Sequence, residues 1–305
     1  MRKIVVRALK VLGILVALLA LGGGSYVYMQ CSAFDASMAK VYDVPIPNLT
    51  RSTDPAVIAR GDHLVHSMAG CAIGDCHGPD LGGGKVVDIG PVGHMVAPNI
   101  TGAGLGAAYS DGELARIIRH GVKKDGCTVR LMPSQDLSWL PDSEVVAIVS
   151  YIRSVPNVDR PNGATVVGTL GKVLDRQGKF PWDVARRIDH AKVETPPAPE
   201  PTPAYGSYLG RLCKGCHGEE HLSGGPIPGA PPSIPVPLNL TPDATGLGDW
   251  TFDDFDKLMK TGVRKSGRKL DPFMPVESWK NFDDTEMHAL WSYLRTLPPT
   301  AFGNR

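Results

Sequence analysis

Cys213 and Cys216 stand three positions apart, and His217 follows at once. Two thiols in this register can each close a thioether onto a vinyl group of a haem. The adjoining imidazole can then deliver a ring nitrogen to the iron. A wider version lies upstream, where four residues separate Cys71 from Cys76 and His77 follows directly. Haem carries one-electron chemistry that no side chain supplies, so the residues point to electron movement. A structural zinc site is the competing use of four cysteines. A histidine directly after the second cysteine, in both places, is the haem pattern.

These motifs sit in a sequence that repeats itself. Cys76-His77-Gly78 matches Cys216-His217-Gly218, and Asn99-Ile100-Thr101 matches Asn239-Leu240-Thr241, both at a spacing of 140. Gly104-Leu105-Gly106 matches Gly246-Leu247-Gly248, and Met132-Pro133 matches Met274-Pro275, at 142. The stretch from Ser150 to Pro156 matches Ser292 to Pro298 at the same offset. Collinear matches of this kind mean two copies of one small domain rather than a solenoid, since there are two and each can hold a core.

Each copy is expected to hold three helices. The first carries Leu64, Val65 and Met68 in one copy, and Tyr205, Tyr208, Leu209 and Leu212 in the other. The second opens on a capping box, Ser110 to Glu113, and stops at Gly121; its counterpart starts at Thr251 and stops at Gly262. The third is built on Val145, Ile148, Val149 and Ile152, and on Met287, Leu290, Trp291 and Leu294, with Pro156 and Pro298 just beyond. No segment is expected to form a sheet. Asn157 to Pro203 has no counterpart in the second copy, and its end, Glu194 to Pro203, reads as a polyproline II linker. Phe180-Pro181-Trp182 could pack on either domain.

The chain has 305 residues and a formal net charge of +1, so nothing global points to nucleic acid. It holds 35 glycines and 27 prolines against 7% aromatics. That suits loop-rich domains wrapped around apolar surface other than their own. Arg2, Lys3, Arg7 and Lys10 precede an uncharged run from Val11 to Met29. Nineteen residues span about 28 Å as a helix, close to the ~30 Å hydrocarbon core. The basic flank places the N-terminus in the cytoplasm and the rest outside it. A retained anchor is favoured over a cleaved signal, because no small-x-small site follows the run directly. The resulting division is anchor 1–30, first domain 31–160, linker 161–203 and second domain 204–305. The exported side also tolerates disulfides.

Together, Cys213-Lys214-Gly215-Cys216-His217-Gly218, Asn239-Leu240-Thr241-Pro242-Asp243, Met274-Pro275 and Leu290 to Pro298 resemble a class I cytochrome c domain. The arrangement is similar to membrane-anchored dihaem cytochromes c and to cytochrome c subunits of bacterial periplasmic dehydrogenases. The resemblance implies an all-α fold of two tandem domains after a transmembrane helix, with two covalently bound haem c groups. It implies thioethers at Cys71, Cys76, Cys213 and Cys216, and His77 with Met132 and His217 with Met274 as iron ligands. A thioether ligand raises the potential. The resemblance further implies location at a bacterial inner membrane, facing the periplasm. Its expected partners are a quinol-oxidising complex or periplasmic dehydrogenase as donor and an oxidase or small cytochrome as acceptor, with no catalytic residues of its own.

Some residues depart from that pattern. The longer loop between Cys71 and Cys76 must bulge, and Gly74 is the residue expected to give it freedom. The alternatives are one thioether through Cys76 alone, or no haem in the first copy. Met95, His94 and His120 are rival ligands in the first copy, and methionine also fills cores. Cys127 is either a free thiol, a disulfide partner of Cys31, or a thiolate at the first haem. The last would give a dihaem enzyme similar to thiosulfate dehydrogenase; a peroxidase would instead need an open iron position with acid/base groups nearby.

Overall fold

The computed structural model describes residues 2–180, 182–191, 195–227 and 234–305. Helix α1 (Arg2–Met38) is followed by α2 (Pro55–His66), strands β1 (Val86–Asp88) and β2 (Gly93–Val96), and helices α3 (Leu105–Ala108), α4 (Asp111–His120) and α5 (Asp142–Ser154). Next come β3 (Val166–Val167) and α6 (Thr169–Arg176). Helices α7 (Pro203–His217), α8 (Phe252–Thr261), α9 (Val276–Trp279) and α10 (Asp284–Thr296) complete the second copy.

Local chemistry fixes the helix ends. Pro55 and Pro203 open α2 and α7, where a missing N–H costs nothing. Asp54 and Thr202 cap them by accepting from the amides of Ala56 and Tyr205. Ser110 with Glu113 forms the expected capping box, Thr251 with Asp254 forms a second, and Gly121 and Gly262 end α4 and α8 at φ of 61° and 69°. Met68, expected within the first helix, lies past its end, although its side chain is buried.

In each copy the first helix crosses the last with no side chain between them. A Cβ on Gly61 would lie 2.0 Å from the Ala147 carbonyl oxygen, and one on Gly206 would lie 1.9 Å from that of Ala289. Backbone cannot yield as a side-chain tip can. Gly206→Ala is therefore expected to destabilise the second domain by about 3 kcal/mol or more, by overpacking. Chemical denaturation of the holoprotein measures it, and a loss within experimental error would disprove this packing.

The expected absence of a sheet is corrected. β1 pairs with β2, and β2 with β3, both antiparallel, with Val87 opposite Met95 and His94 opposite Val166. Strands of two to four residues are too short to show alternation, and β3 comes from the stretch without a repeat partner. The described residues between 157 and 191 pack on the first domain. Asn99 donates to the carbonyls of Val158 and Arg160 at 2.7 and 3.3 Å, and Trp182 is fully buried with Phe34 and Val92. Pro181 lies outside the described residues. In the second copy Asn239 donates to the Thr300 carbonyl at 2.7 Å. The repeated Asn-x-Thr is thus a latch that ties each loop to the chain leaving the last helix.

The two copies share one hydrophobic core. Their interface carries equivalent residues in exchanged roles. Glu144 receives Arg60 at 2.6 Å and the Tyr208 hydroxyl at 3.3 Å, while Glu286 receives Arg60 at 3.5 Å, His63 at 2.8 Å and the Tyr205 hydroxyl at 3.4 Å. Trp139 packs edge-on against Tyr208 at 4.3 Å and beneath the Arg211 guanidinium at 5.2 Å. Asn281, its counterpart, donates to the His66 carbonyl at 2.8 Å.

Candidate haem centres

His217 is the last residue of α7, and only 7% of it is exposed. Its Nδ1 stands 2.7 Å from the Leu238 carbonyl oxygen. A carbonyl only accepts, so Nδ1 carries the proton and Nε2 keeps a bare lone pair. Burial holds the imidazole pKa below its usual value, against the pull of that hydrogen bond, so the ring is neutral at pH 7. Cys213 is buried one turn earlier, and Cys216 is half-buried. Met274 is half-buried against the same core as Cys213, in a turn closed by the Val276 amide on the Met274 carbonyl at 2.8 Å.

The first copy repeats this geometry. His77 Nδ1 donates to the Pro98 carbonyl at 2.8 Å, again leaving Nε2 bare, and burial again lowers its pKa. The Ser134 amide closes the Met132 turn at 2.8 Å. Cys71, Cys76, His77 and Met132 line one cavity of about 390 Å³. Its walls are apolar, with Leu114, Ile118, Ile148 and Ile152 among them. Met95 also lines it, whereas His94, His120 and Cys127 do not. His94 points its Nε2 at the Ala164 carbonyl, 3.2 Å away. His120 stands 3.2 Å from His190, ring nitrogen to ring nitrogen, and burial with the His190 charge pushes its pKa down to about 4. The Cys127 sulfur lies 4.0 Å from the Ala39 carbonyl oxygen. Cys31 and Cys127 are both free thiols.

The wider attachment loop solves its spacing differently from expectation. Helix α2 stops at His66, well before the motif, and the chain reaches His77 through turns: Ile73 on Gly70, Cys76 on Ile73, and the His77 amide on the Cys71 carbonyl at 3.1 Å. Gly70, at φ 60°, takes the left-handed conformation; Gly74 does not. One wall of the cavity was not foreseeable from the repeat. Gly163, Ala164 and Thr165 come from the stretch without a counterpart. The only local signal was the length of that stretch.

The donor set fits haem better than zinc. Burial pushes the Cys71 and Cys213 thiols up to about 12, with the neighbouring cysteine adding to it. Among the described residues the one tight cluster of metal-ligating groups, His63, Asp283 and Glu286, contains no motif cysteine. Its carboxylates already serve a helix capping box.

The family described as cytochrome c matches residues 204–298. The family described as cytochrome C oxidase, cbb3-type, subunit III matches residues 56–152. The chain carries two cytochrome c domains. Over 295 residues it is 27% identical to the cytochrome c subunit of the quinone alcohol dehydrogenase of Gluconacetobacter polyoxogenes, covering 82% of this chain and 58% of that one. It is 37% identical over 107 residues to the gluconate 2-dehydrogenase cytochrome c subunit of Pantoea cypripedii, covering 33% of this chain and 24% of the relative. The fructose dehydrogenase cytochrome subunit of Gluconobacter japonicus is 31% identical over 112 residues, covering 32% and 23%. This cytochrome c chain thus spans little more than half, or about a quarter, of the length of these relatives.

Proposed function

We propose that this protein is a membrane-tethered dihaem cytochrome c that takes electrons from a periplasmic dehydrogenase or quinol-oxidising complex and passes them to an oxidase or another cytochrome. The observation that carries the reading is the paired one: in each domain a histidine has Nδ1 committed to a backbone carbonyl and Nε2 left bare. When bound, haem would supply reversible one-electron chemistry. Cys71 and Cys76, and Cys213 and Cys216, would hold it by thioethers. His77 and His217 would bind iron through Nε2, and Met132 and Met274 through their thioether sulfurs. With a histidine and a methionine committed to each iron, no substrate site would be left, which suits outer-sphere transfer. The apolar walls around Met132 would keep water from the iron, and the carbonyls of Pro98 and Leu238 fix the imidazole orientation.

The relatives' dehydrogenase assignments support a dehydrogenase as partner. Helix α1, whose apolar window is not buried anywhere against the protein, supports anchoring with the haem domains on the periplasmic face of the inner membrane. The position of Cys127 outside the first cavity weighs against a thiolate-ligated enzyme.

Mass spectrometry of the denatured chain is expected to find two covalent haem adducts. The double variant Cys213→Ser/Cys216→Ser is expected to retain one, since Cys71 and Cys76 serve the other centre. No adduct on the native chain would disprove the reading, and a single adduct would disprove its dihaem form.

A further inference from the structure

The C-terminal third of α1 does not stand free. Phe34 is 2% exposed against Val92 and Trp182, and the Ser37 hydroxyl donates to the buried Asp183 carboxylate. Helix α6 runs down α1 in the opposite sense. Lys172 Nζ meets the Asp35 carboxylate at 2.6 Å, and the Gln177 amide donates to the Tyr26 hydroxyl at 3.1 Å. From Asp35 to Tyr26, α1 descends about 13 Å. Tyr26 lies inside the apolar run that ends at Met29. Residue 177 therefore reaches about 4–5 Å below the end of that run, at the edge of the hydrocarbon, a level from which long cationic side chains extend to the headgroups. Tyr26 and Tyr28 are 45% and 73% exposed there, where aromatic side chains collect at a membrane interface.

The charges at this tip differ from those above it. Lys172 is paired with Asp35, Arg186 with Asp175 and Asp183, and Arg187 with Asp175. Arg176 and Lys179 flank Gln177, and among the described residues neither has a carboxylate partner. Arg176 Nε is shielded from solvent and has no hydrogen-bond partner, while Lys179 is exposed. Two cations within reach of the headgroups, neither paired with a carboxylate among the described residues, match a phosphodiester.

We propose that Arg176 and Lys179 bind the phosphate of an anionic glycerophospholipid, so that the first haem domain is seated on the membrane at a fixed height and angle rather than swinging on its anchor. This rests on the anchoring proposed above. A basic pair beside an anionic bilayer gains from both the surface potential and direct pairing.

The test uses full-length holoprotein in nanodiscs of phosphatidylglycerol or of phosphatidylcholine. Amide exchange over residues 174–180 is expected to be slower in the anionic discs by about fivefold or more, the worth of one cation near such a surface. Arg176→Gln/Lys179→Gln should abolish the difference and leave the haem spectrum unchanged. Equal exchange in the two lipids would overturn the proposal. So would protection in phosphatidylcholine discs on adding inorganic phosphate, which would make free phosphate the ligand. The intact mass of the same sample reports whether residues 2–38 are present. Their loss, with no protein in the discs, would sink the anchoring, whereas equal exchange with α1 retained would sink only the lipid contact.

Discussion

Met274→Leu is expected to lower the reduction potential of one haem by on the order of 0.1–0.3 V and leave the other in place, since axial ligands set potentials over about 0.8 V. Leucine matches methionine in volume but has no sulfur to donate. Met274 is half-buried, and isosteric exchange in a core costs little, under about 1.5 kcal/mol. The domain should therefore stay folded while its iron loses one ligand. Met132→Leu should do the same to the other centre. A spectroelectrochemical titration separates the two, and the methionine-to-iron charge-transfer band should halve in either variant. An unchanged titration in Met274→Leu would mean that this methionine is only core, and that the iron is held some other way.

How far the sequence reached can be judged from particular residues. The Cys213–His217 motif, the Asn-x-Thr elements and the Ser110 capping box are local patterns with local causes, at the end of α7, in a loop and at the start of α4. The Asn99 latch shows the limit: its amide was visible as a repeat, but its partners, Val158 and Arg160, lie about sixty residues on in a stretch that repeats nothing. The same stretch supplies β3 and one wall of the first cavity, so reading it as connection between domains missed what it encloses. Gly74 illustrates a second limit. A glycine inside a long loop suggests freedom, but the left-handed position falls just before the motif, at Gly70, and only the path of the chain reveals that. The domain interface was least legible, because His63 and Glu286 are 223 residues apart and belong to different copies. One signal did exist: Glu144 and Glu286 occupy the same position in the two third helices, with no haem role to require it.

That interface gives the second large effect. Glu286 is 1% exposed, accepts from His63 and Tyr205, and forms an ion pair with Arg60 at 3.5 Å. Its hydrogen bond to His63 raises the imidazole pKa above 6.5, overcoming burial and the Arg60 charge. A raised pKa means that the protonated form is favoured in the folded state. The resulting stability is fully present below pH 6.5 and is lost as pH climbs through the raised folded value. The holoprotein should therefore unfold at lower temperature in mildly alkaline buffer than just below pH 6.5. Glu286→Gln keeps the shape and the capping contact to Asp283 but removes the charge that two cationic groups face. It should cost about 2 kcal/mol below pH 6.5, the scale of a hydrogen bond to a charged group. It should also flatten the pH dependence in that window, because His63 then keeps only the weaker pull of Asp283 to favour its proton. His63→Gln should flatten it too, at smaller cost, since Arg60 still faces Glu286. Scanning calorimetry at the two pH values decides the matter. If the slope survives in both variants, the titration that joins the domains lies elsewhere, and the charged knot contributes packing alone.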